Sequence, residues 1–208
     1  MFEQSINQET RLVLEKIAVA GLVENFYLAG GTALALELGH RQSIDLDWFS
    51  LVDFSNDGLK EELSNLGSLE IVGEEERTLH VMMDGVKVTF LRYRYPLLFP
   101  LLDYRNIKLA DPRDIAAMKI DAASSRGSKK DFIDIYFLLR LYSLSELIGY
   151  FEEKYKGVEY NKLHILKSLV YFEDAESEPM PMMIKRVEWD EVKGGIRREV
   201  NELMDSWH

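Results

Sequence analysis

Two aspartates inside an apolar, strand-like run constrain this chain more than any other feature. The run is Ile44-Asp45-Leu46-Asp47-Trp48-Phe49, and it follows soon after Leu28-Ala29-Gly30-Gly31-Thr32. Aspartate is disfavoured within strands, so two of them here ask for a reason. Positions two apart on a strand point to the same side, which sets their Cα atoms roughly 6.5–7 Å apart. Such a pair is able to hold one or two hard cations, Mg2+ or Mn2+, which combine carboxylates with substrate phosphates. The competing reading is a strand whose surface face simply carries two acids. The glycine turn favours the cation. Gly30 and Gly31 let a nucleoside triphosphate come close to the backbone, and a helix starting behind them offers free N–H groups and a positive dipole end. Thr32 is placed to cap that helix, to touch a phosphate, or both.

Periodicity supplies the frame around this pair. Residues 8–24 carry apolar side chains near helical spacing, and 26–29 form a short apolar strand. The spacing predicts a helix over 32–38 ended by Gly39, a strand over 43–49 and a polar-faced helix over 57–66. Strands are expected at 68–76, 77–83 and 86–93, the last two joined by the hairpin signal Asp84-Gly85. The character then changes. Asp111-Pro112 opens a helix running to about residue 125, with Gly127 past its end. Ser128 to Asp131 resembles a capping-box restart of a helix reaching about residue 142. Further helices are expected at 144–156, 160–172 and 189–207, with 173–182 as a loop. The expected fold class is α+β: a mixed-sheet α/β core over residues 1–108, then a helical region over 109–208 that completes the site.

The second half has its own candidates. Asp134 lies in Phe132-Ile133-Asp134-Ile135-Tyr136-Phe137, a helix apolar on so many sides that the carboxylate needs a partner. Lys130 is one turn away and could form a surface pair. Lys119, on the preceding helix, is the alternative that a helical hairpin would bring close. Either Lys119 and Asp134 form a structural bridge, or Asp134 orients Lys119 toward a triphosphate; the two readings are compatible. Arg41 and Arg126 are the best of the basic residues for phosphate binding, since each sits on a turn beside a proposed site element. The bland alternative for each is ordinary surface charge. His40 reads as a turn residue rather than a base. His80, His164 and His208 lack the spacing of a zinc site.

Composition removes several classes. The net charge of −11 is a poor basis for a broad nucleic-acid-binding surface, though a local basic pocket stays open. With no cysteine there is no disulfide framework and no thiolate site, which fits a cytoplasmic protein. The polar, acidic stretch Met1 to Thr10 is not expected to be a signal peptide, and no apolar run approaches the roughly 18 residues of a membrane span.

The blocks Gly30-Gly31-Thr32-Ala33-Leu34 and His40-Arg41-Gln42-Ser43-Ile44-Asp45-Leu46-Asp47-Trp48-Phe49 resemble the nucleotidyltransferase-like AbiEii/AbiGii toxin family. So do Asp111-Pro112 leading to Lys119 and Arg126, then Lys130-Asp131 and Asp134-Ile135-Tyr136. The tail is similar too, at Tyr171 to Glu176, Pro179-Met180-Pro181, Trp189 and Val192-Lys193. The resemblance implies a DNA-polymerase-β-like core and Mg2+-dependent transfer of a nucleotidyl group from an NTP to an acceptor hydroxyl. It implies tRNA 3′ ends as acceptors for several members, and cognate antitoxins as partners. Under it Asp45 and Asp47 are metal ligands, Gly30, Gly31, Thr32 and Ser43 belong to the nucleotide loop, and Lys119 with Asp134 match the second catalytic motif. One departure stands out. The wider superfamily often carries a third carboxylate on a later strand, where this sequence has Thr89. That leaves three readings: an aspartate of the pair as base, metal activation of the hydroxyl alone, or a nucleotide-binding module that turns over poorly. A further alternative is nucleotidylation of a small molecule or a protein, which the acidic surface suits better than tRNA.

Overall fold

The computed structural model describes residues 1–206 and divides into two compact units, one of Met1–Pro96 with Pro100–Asp111, the other of Leu97–Phe99 with Pro112 onward. Trp207, at the end of the last expected helix, and His208 lie outside the described residues. Among the described residues no helix is long and apolar enough to cross a membrane.

The first unit is built on a mixed sheet of seven described strands. They are β1 (Phe26–Ala29), β2 (Leu46–Ser50), β3 (Leu69–Glu75), β4 (Thr78–Met83), β5 (Val86–Arg92), β6 (Leu102–Tyr104) and β7 (Ile107–Leu109). Their order is β3-β4-β5-β2-β1-β7-β6, with β2–β5 and β1–β7 parallel and the other pairs antiparallel. Among the described residues it carries three α-helices: α1 (Gln8–Val19), α2 (Gly30–Leu38) and α3 (Asn56–Ser64). Asn7 caps α1 by accepting from the Thr10 N–H at 2.8 Å. Gly39, at φ +62°, ends α2 in the left-handed conformation that favours glycine. Asp84 and Gly85, at φ +48° and +81°, make the tight β4–β5 turn expected of them.

One face of the sheet is core. Leu46 and Trp48 of β2, Val88 and Phe90 of β5, and Leu79, Val81 and Met83 of β4 have no exposed surface. Each such side chain contributes about 1.5–3 kcal/mol of burial. The Trp48 and Phe90 rings stack with centroids 6.4 Å apart, and Phe26 meets Phe90 edge-on at 5.3 Å. On the opposite face stand Asp47, Thr89 and His80.

Three expectations are corrected in this unit. The strand predicted from residue 43 begins at Leu46, because the preceding backbone is bonded elsewhere. The Ser43 N–H donates to the Ser5 carbonyl at 2.8 Å, and the Ile44 carbonyl accepts from the Thr10 hydroxyl at 3.1 Å. The helix expected from Thr32 starts at Gly30, so Thr32 is not its cap. The β6–β7 hairpin, whose strands are too short for periodicity to reveal, adds two strands at one edge and carries the first unit past residue 108.

The second unit is helical: α4 (Pro112–Ser125), α5 (Lys129–Leu138), α6 (Leu144–Lys154), α7 (Lys162–Leu169), α8 (Glu173–Glu176) and α9 (Trp189–Asp205). The short α8 falls where a loop was expected. Ser143 and Glu146 form a reciprocal capping box at the start of α6. Phe132, Phe172 and Trp189 pack as an aromatic triad with centroid distances of 4.8, 5.7 and 6.2 Å. Deeper in, Lys154 Nζ lies 2.6 Å from Asp114 Oδ1, and both side chains are buried. Asp114 also accepts from the Leu98 and Phe99 N–H groups at 3.0 Å each, which ties the 97–99 segment to this unit. Burial holds the Lys154 ammonium below the usual lysine range, and Asp114 pulls it partly back.

Removing one partner of such a pair strands the other in the core. Asp114→Ala is expected to destabilise the protein by about 3–5 kcal/mol, read as a lower urea midpoint. Lys162→Ala, which breaks a surface pair with Glu152, should cost about 0–1 kcal/mol.

Candidate active site

In the first unit the glycine turn and the aspartate pair meet. Asp47 is in register with Ala29 of β1 on one side and Thr89 of β5 on the other. Ala29 runs directly into Gly30. A Cβ built on Gly30 would lie 2.7 Å from Asp47 Oδ2, and Gly30 holds φ +64°. Glycine is required there twice, for its conformation and for the room it leaves beside the carboxylate. A Cβ on Gly31 would lie 2.5 Å from an Arg41 guanidinium nitrogen and 3.4 Å from Ser43 Oγ. The Thr32 hydroxyl donates to the Asp45 carbonyl and lies 2.8 Å from the Ser43 hydroxyl.

Gly30, Gly31, Thr32, Arg41, Ser43, Asp45 and Asp47 are therefore gathered around one turn. Thr32 does its structural work by fixing the 43–45 segment, not by capping. Asp45 and Asp47 are both half-buried and flank the fully buried Leu46, but only Asp47 lies on β2; Asp45 precedes the strand. Arg41 departs from a surface charge. It is 2 % exposed, laid over Gly31, with Nη1 donating to the Gln42 carbonyl at 3.0 Å. His40 is fully buried, which removes it from contact with a substrate.

Among the described residues no group of three or more His, Cys, Asp or Glu is arranged to hold a metal. The donor set is two carboxylates beside a backbone cradle. That set suits a hard cation that completes its shell with water and phosphate oxygens, not one that needs an all-protein cage.

In the second unit Lys119 is the centre. Its Nζ lies 2.7 Å from Asp134 Oδ2, as the sequence suggested, and 2.8 Å from Asp131 Oδ1. Asp131 also accepts from the Ser128 hydroxyl at 2.7 Å, and the Arg126 Nε lies 3.4 Å away. Lys130, the competing partner for Asp134, is exposed. Burial pushes the Asp131 carboxyl up, but the Lys119 ammonium, the Ser128 hydroxyl and Arg126 outweigh it, so the net shift is downward. Asp131 was missed as a partner of Lys119. Its spacing of three from Asp134 on a helix was the available signal, since residues so spaced share a face. Lys119, Arg126, Asp131 and Asp134 balance in charge. Arg126 keeps a largely exposed side chain, and Lys119 does not.

Glu37 of α2 was not singled out by sequence. Burial, followed by the negative charge of Asp111, pushes its carboxyl up to about 8, against a small opposing pull from the chain's amino group. Its Oε1 is buried with no hydrogen-bond partner among the described residues.

Comparison with known proteins fits this geometry. The family described as "Nucleotidyl transferase AbiEii toxin, Type IV TA system" matches residues 11–105 and 69–207. An uncharacterized protein of Aquifex aeolicus (strain VF5), aq_aa25, is 37 % identical over 211 residues, covering 98 % of this chain and 100 % of its own. Among solved structures, JHP933 from Helicobacter pylori is 16 % identical with a TM-score of 0.57, covering 98 % of this chain and 97 % of its own. MenT4, a nucleotidyltransferase toxin from Mycobacterium tuberculosis H37Rv, is 14 % identical with a TM-score of 0.56, covering 96 % and 86 %. These likenesses show the fold: a mixed-sheet core followed by a helical region, the polymerase-β-like nucleotidyltransferase architecture.

Two outcomes follow from the first unit. Gly30→Ala adds a left-handed alanine and a contact with Asp47, and is expected to cost about 1–3 kcal/mol in chemical denaturation. The raised Glu37 carboxyl is protonated in the folded chain at pH values where the unfolded chain has ionised. Its contribution is full below about pH 4.5 and is lost as pH rises toward about 8. Glu37→Gln should therefore flatten the fall in stability over that window and gain about 2 kcal/mol at pH 8, after allowance for partial exposure.

Proposed function

The chain belongs to the AbiEii nucleotidyltransferase toxin family, and from that premise we propose that it moves a nucleotidyl group from an NTP to an acceptor hydroxyl. The observation that carries this reading is the juxtaposition of Asp47 with the side-chain-free Gly30. A carboxylate and a phosphate-accepting helix start occupy one turn, on the sheet face opposite the core. Asp45 and Asp47 would hold a divalent cation, Mg2+ or Mn2+, which when bound neutralises phosphoryl charge and lowers the pKa of an attacking hydroxyl.

The chain's own groups do the remaining work. The N–H groups at the start of α2 donate to phosphate oxygens, helped by the positive end of the helix. Gly31, having no side chain, leaves the room that the Arg41 guanidinium takes beside the turn. Arg41 places a buried positive charge over that turn, where it favours a polyanion and stabilises pyrophosphate as it departs. Ser43 and Thr32 keep the 43–45 segment, and so Asp45, in place. In the second unit we assign phosphate contact to Arg126, whose guanidinium is accessible. Lys119 is held by two carboxylates, and its assigned part is to order Asp131 and Asp134, with Asp131 in turn positioning Arg126.

The family's description as toxins of type IV systems supports a role as the toxin of a toxin–antitoxin pair, with an antitoxin protein as partner. A tRNA 3′ end is the acceptor we favour on family grounds. A second reading has a specific observation behind it. Thr89 occupies the register position beside Asp47 where a third carboxylate would act, which favours a nucleotide-binding module with weak turnover.

Incubation with each labelled NTP, Mg2+ and total RNA tests the proposal. Asp45→Ala or Asp47→Ala should lower transfer by at least about 10²-fold, the scale of losing electrostatic stabilisation of the transition state. Unchanged transfer by a folded variant would remove the assignment. NTP binding by the wild type without pyrophosphate release would identify the binding module instead.

A further inference from the structure

We propose that His80, acting through the Thr89 hydroxyl, accepts the proton of the attacking hydroxyl, in the place where the third carboxylate is missing. The inference rests on the nucleotidyl-transfer reading above. Its basis is the sheet. Thr89 is the register partner of Asp47 on β5, and His80 is the register partner of Thr89 on β4. Register partners share a face, so Asp47, Thr89 and His80 form one row across three strands. The imidazole Nδ1 lies 3.1 Å from Thr89 Oγ1. Thr89 is 6 % exposed and His80 is half-buried, so the hydroxyl is held in place while the ring keeps a route to water.

The spacing decides how the pair must work. Two strand separations put His80 about 10 Å from Asp47, measured between backbones, too far for the ring to meet a hydroxyl held at the aspartates. Thr89 is one separation away. A threonine alone is no base, but its hydroxyl is donor and acceptor at once. It takes the acceptor's proton on Oγ1 while passing its own to His80 Nδ1. The acceptor oxygen forms its bond to the α-phosphorus, the bond from that phosphorus to the bridging oxygen breaks, and pyrophosphate leaves with the electron pair. The imidazolium then returns its proton to water.

The surroundings leave the ring free to do this. Gly73, the β3 partner of His80, follows a register irregularity, and its missing side chain leaves that flank of the ring uncrowded; a Cβ there would lie 3.6 Å from the ring. The charged groups on the same face are Glu70 and Glu75 of β3, Lys87 of β5 and Asp47 of β2. The Asp84-Gly85 turn sets the pairing, since a slip of one residue would send His80 to the core face.

The test combines ring NMR with transfer kinetics on the full chain. Nitrogen-detected NMR should show a neutral His80 with its proton on Nε2 and an accepting Nδ1, and that signature should be lost in Thr89→Val. In the transfer assay His80→Gln and Thr89→Val should each lower kcat by about 10²-fold or more, with KM for the NTP little changed. Thr89→Ser should retain most of the rate. Wild-type kcat should fall tenfold per pH unit on the acid side, in the range where imidazole protonates, and His80→Gln should lose that limb. Thr89→Asp should restore transfer in the His80→Gln background, because a carboxylate at that position needs no relay. Wild-type transfer with a rate and pH profile indifferent to His80→Gln overturns the relay alone. A proton found on Nδ1 does the same. A wild type inert toward every NTP overturns the relay together with the transfer reading.

Discussion

Strand β2 is held antiparallel to β1 on one side and parallel to β5 on the other, so its side chains have two environments and no third. Leu46 and Trp48 take the core, and Trp48 stacks on Phe90 there with no exposed surface. Asp47 is thereby committed to the other face. No rotation or slip frees it without burying a carboxylate and exposing a tryptophan, a cost of several kcal/mol in each direction. The candidate site depends on this exclusion more than on any contact the aspartate makes.

The glycine turn follows from the same pairing. Because Asp47 lies opposite Ala29, the residue after Ala29 must pass the carboxylate closely, and only glycine fits both the space and the positive φ. The segment leading into β2 is fixed independently. Ser5, Thr10 and Thr32 each bond a different part of residues 43–45. Asp45 is thus positioned by side chains and loops, and Asp47 by the ladder. A pair supported in two ways keeps its spacing when either support loosens. Arg41 is buried in this neighbourhood, and burial with the Asp111 charge pushes the Glu37 carboxyl up to about 8, the kind of perturbed environment met in sites built for charged ligands.

The helical unit follows a different logic. Two buried lysine clusters, Lys119 with Asp131 and Asp134, and Lys154 with Asp114, tie α4 to the next helix α5 and to α6. Such pairs add little net stability over apolar replacements, yet breaking one is costly. They specify which helices meet and in what register. In the first of them Asp131 is shared with Ser128 and Arg126, so the cluster also orders the turn between α4 and α5.

The sequence by itself determined the local grammar. Apolar alternation told the two faces of β2 apart, Asp84-Gly85 marked the hairpin, Gly39 ended its helix, and an aspartate in an apolar helix required a lysine. These are readable because each depends on near neighbours and on backbone preferences. The sequence also showed that a threonine stood where an acid was expected. Tertiary structure alone decided the rest. It placed Thr89 beside Asp47, laid Arg41 over Gly31, gave Lys119 a second carboxylate, began β2 at Leu46, and added the β6–β7 hairpin. Each is a contact between residues distant in the chain, or a strand too short to show a period. No local pattern encodes which strand lies next to which, and that neighbour relation determines which functional groups can share a proton or a ligand.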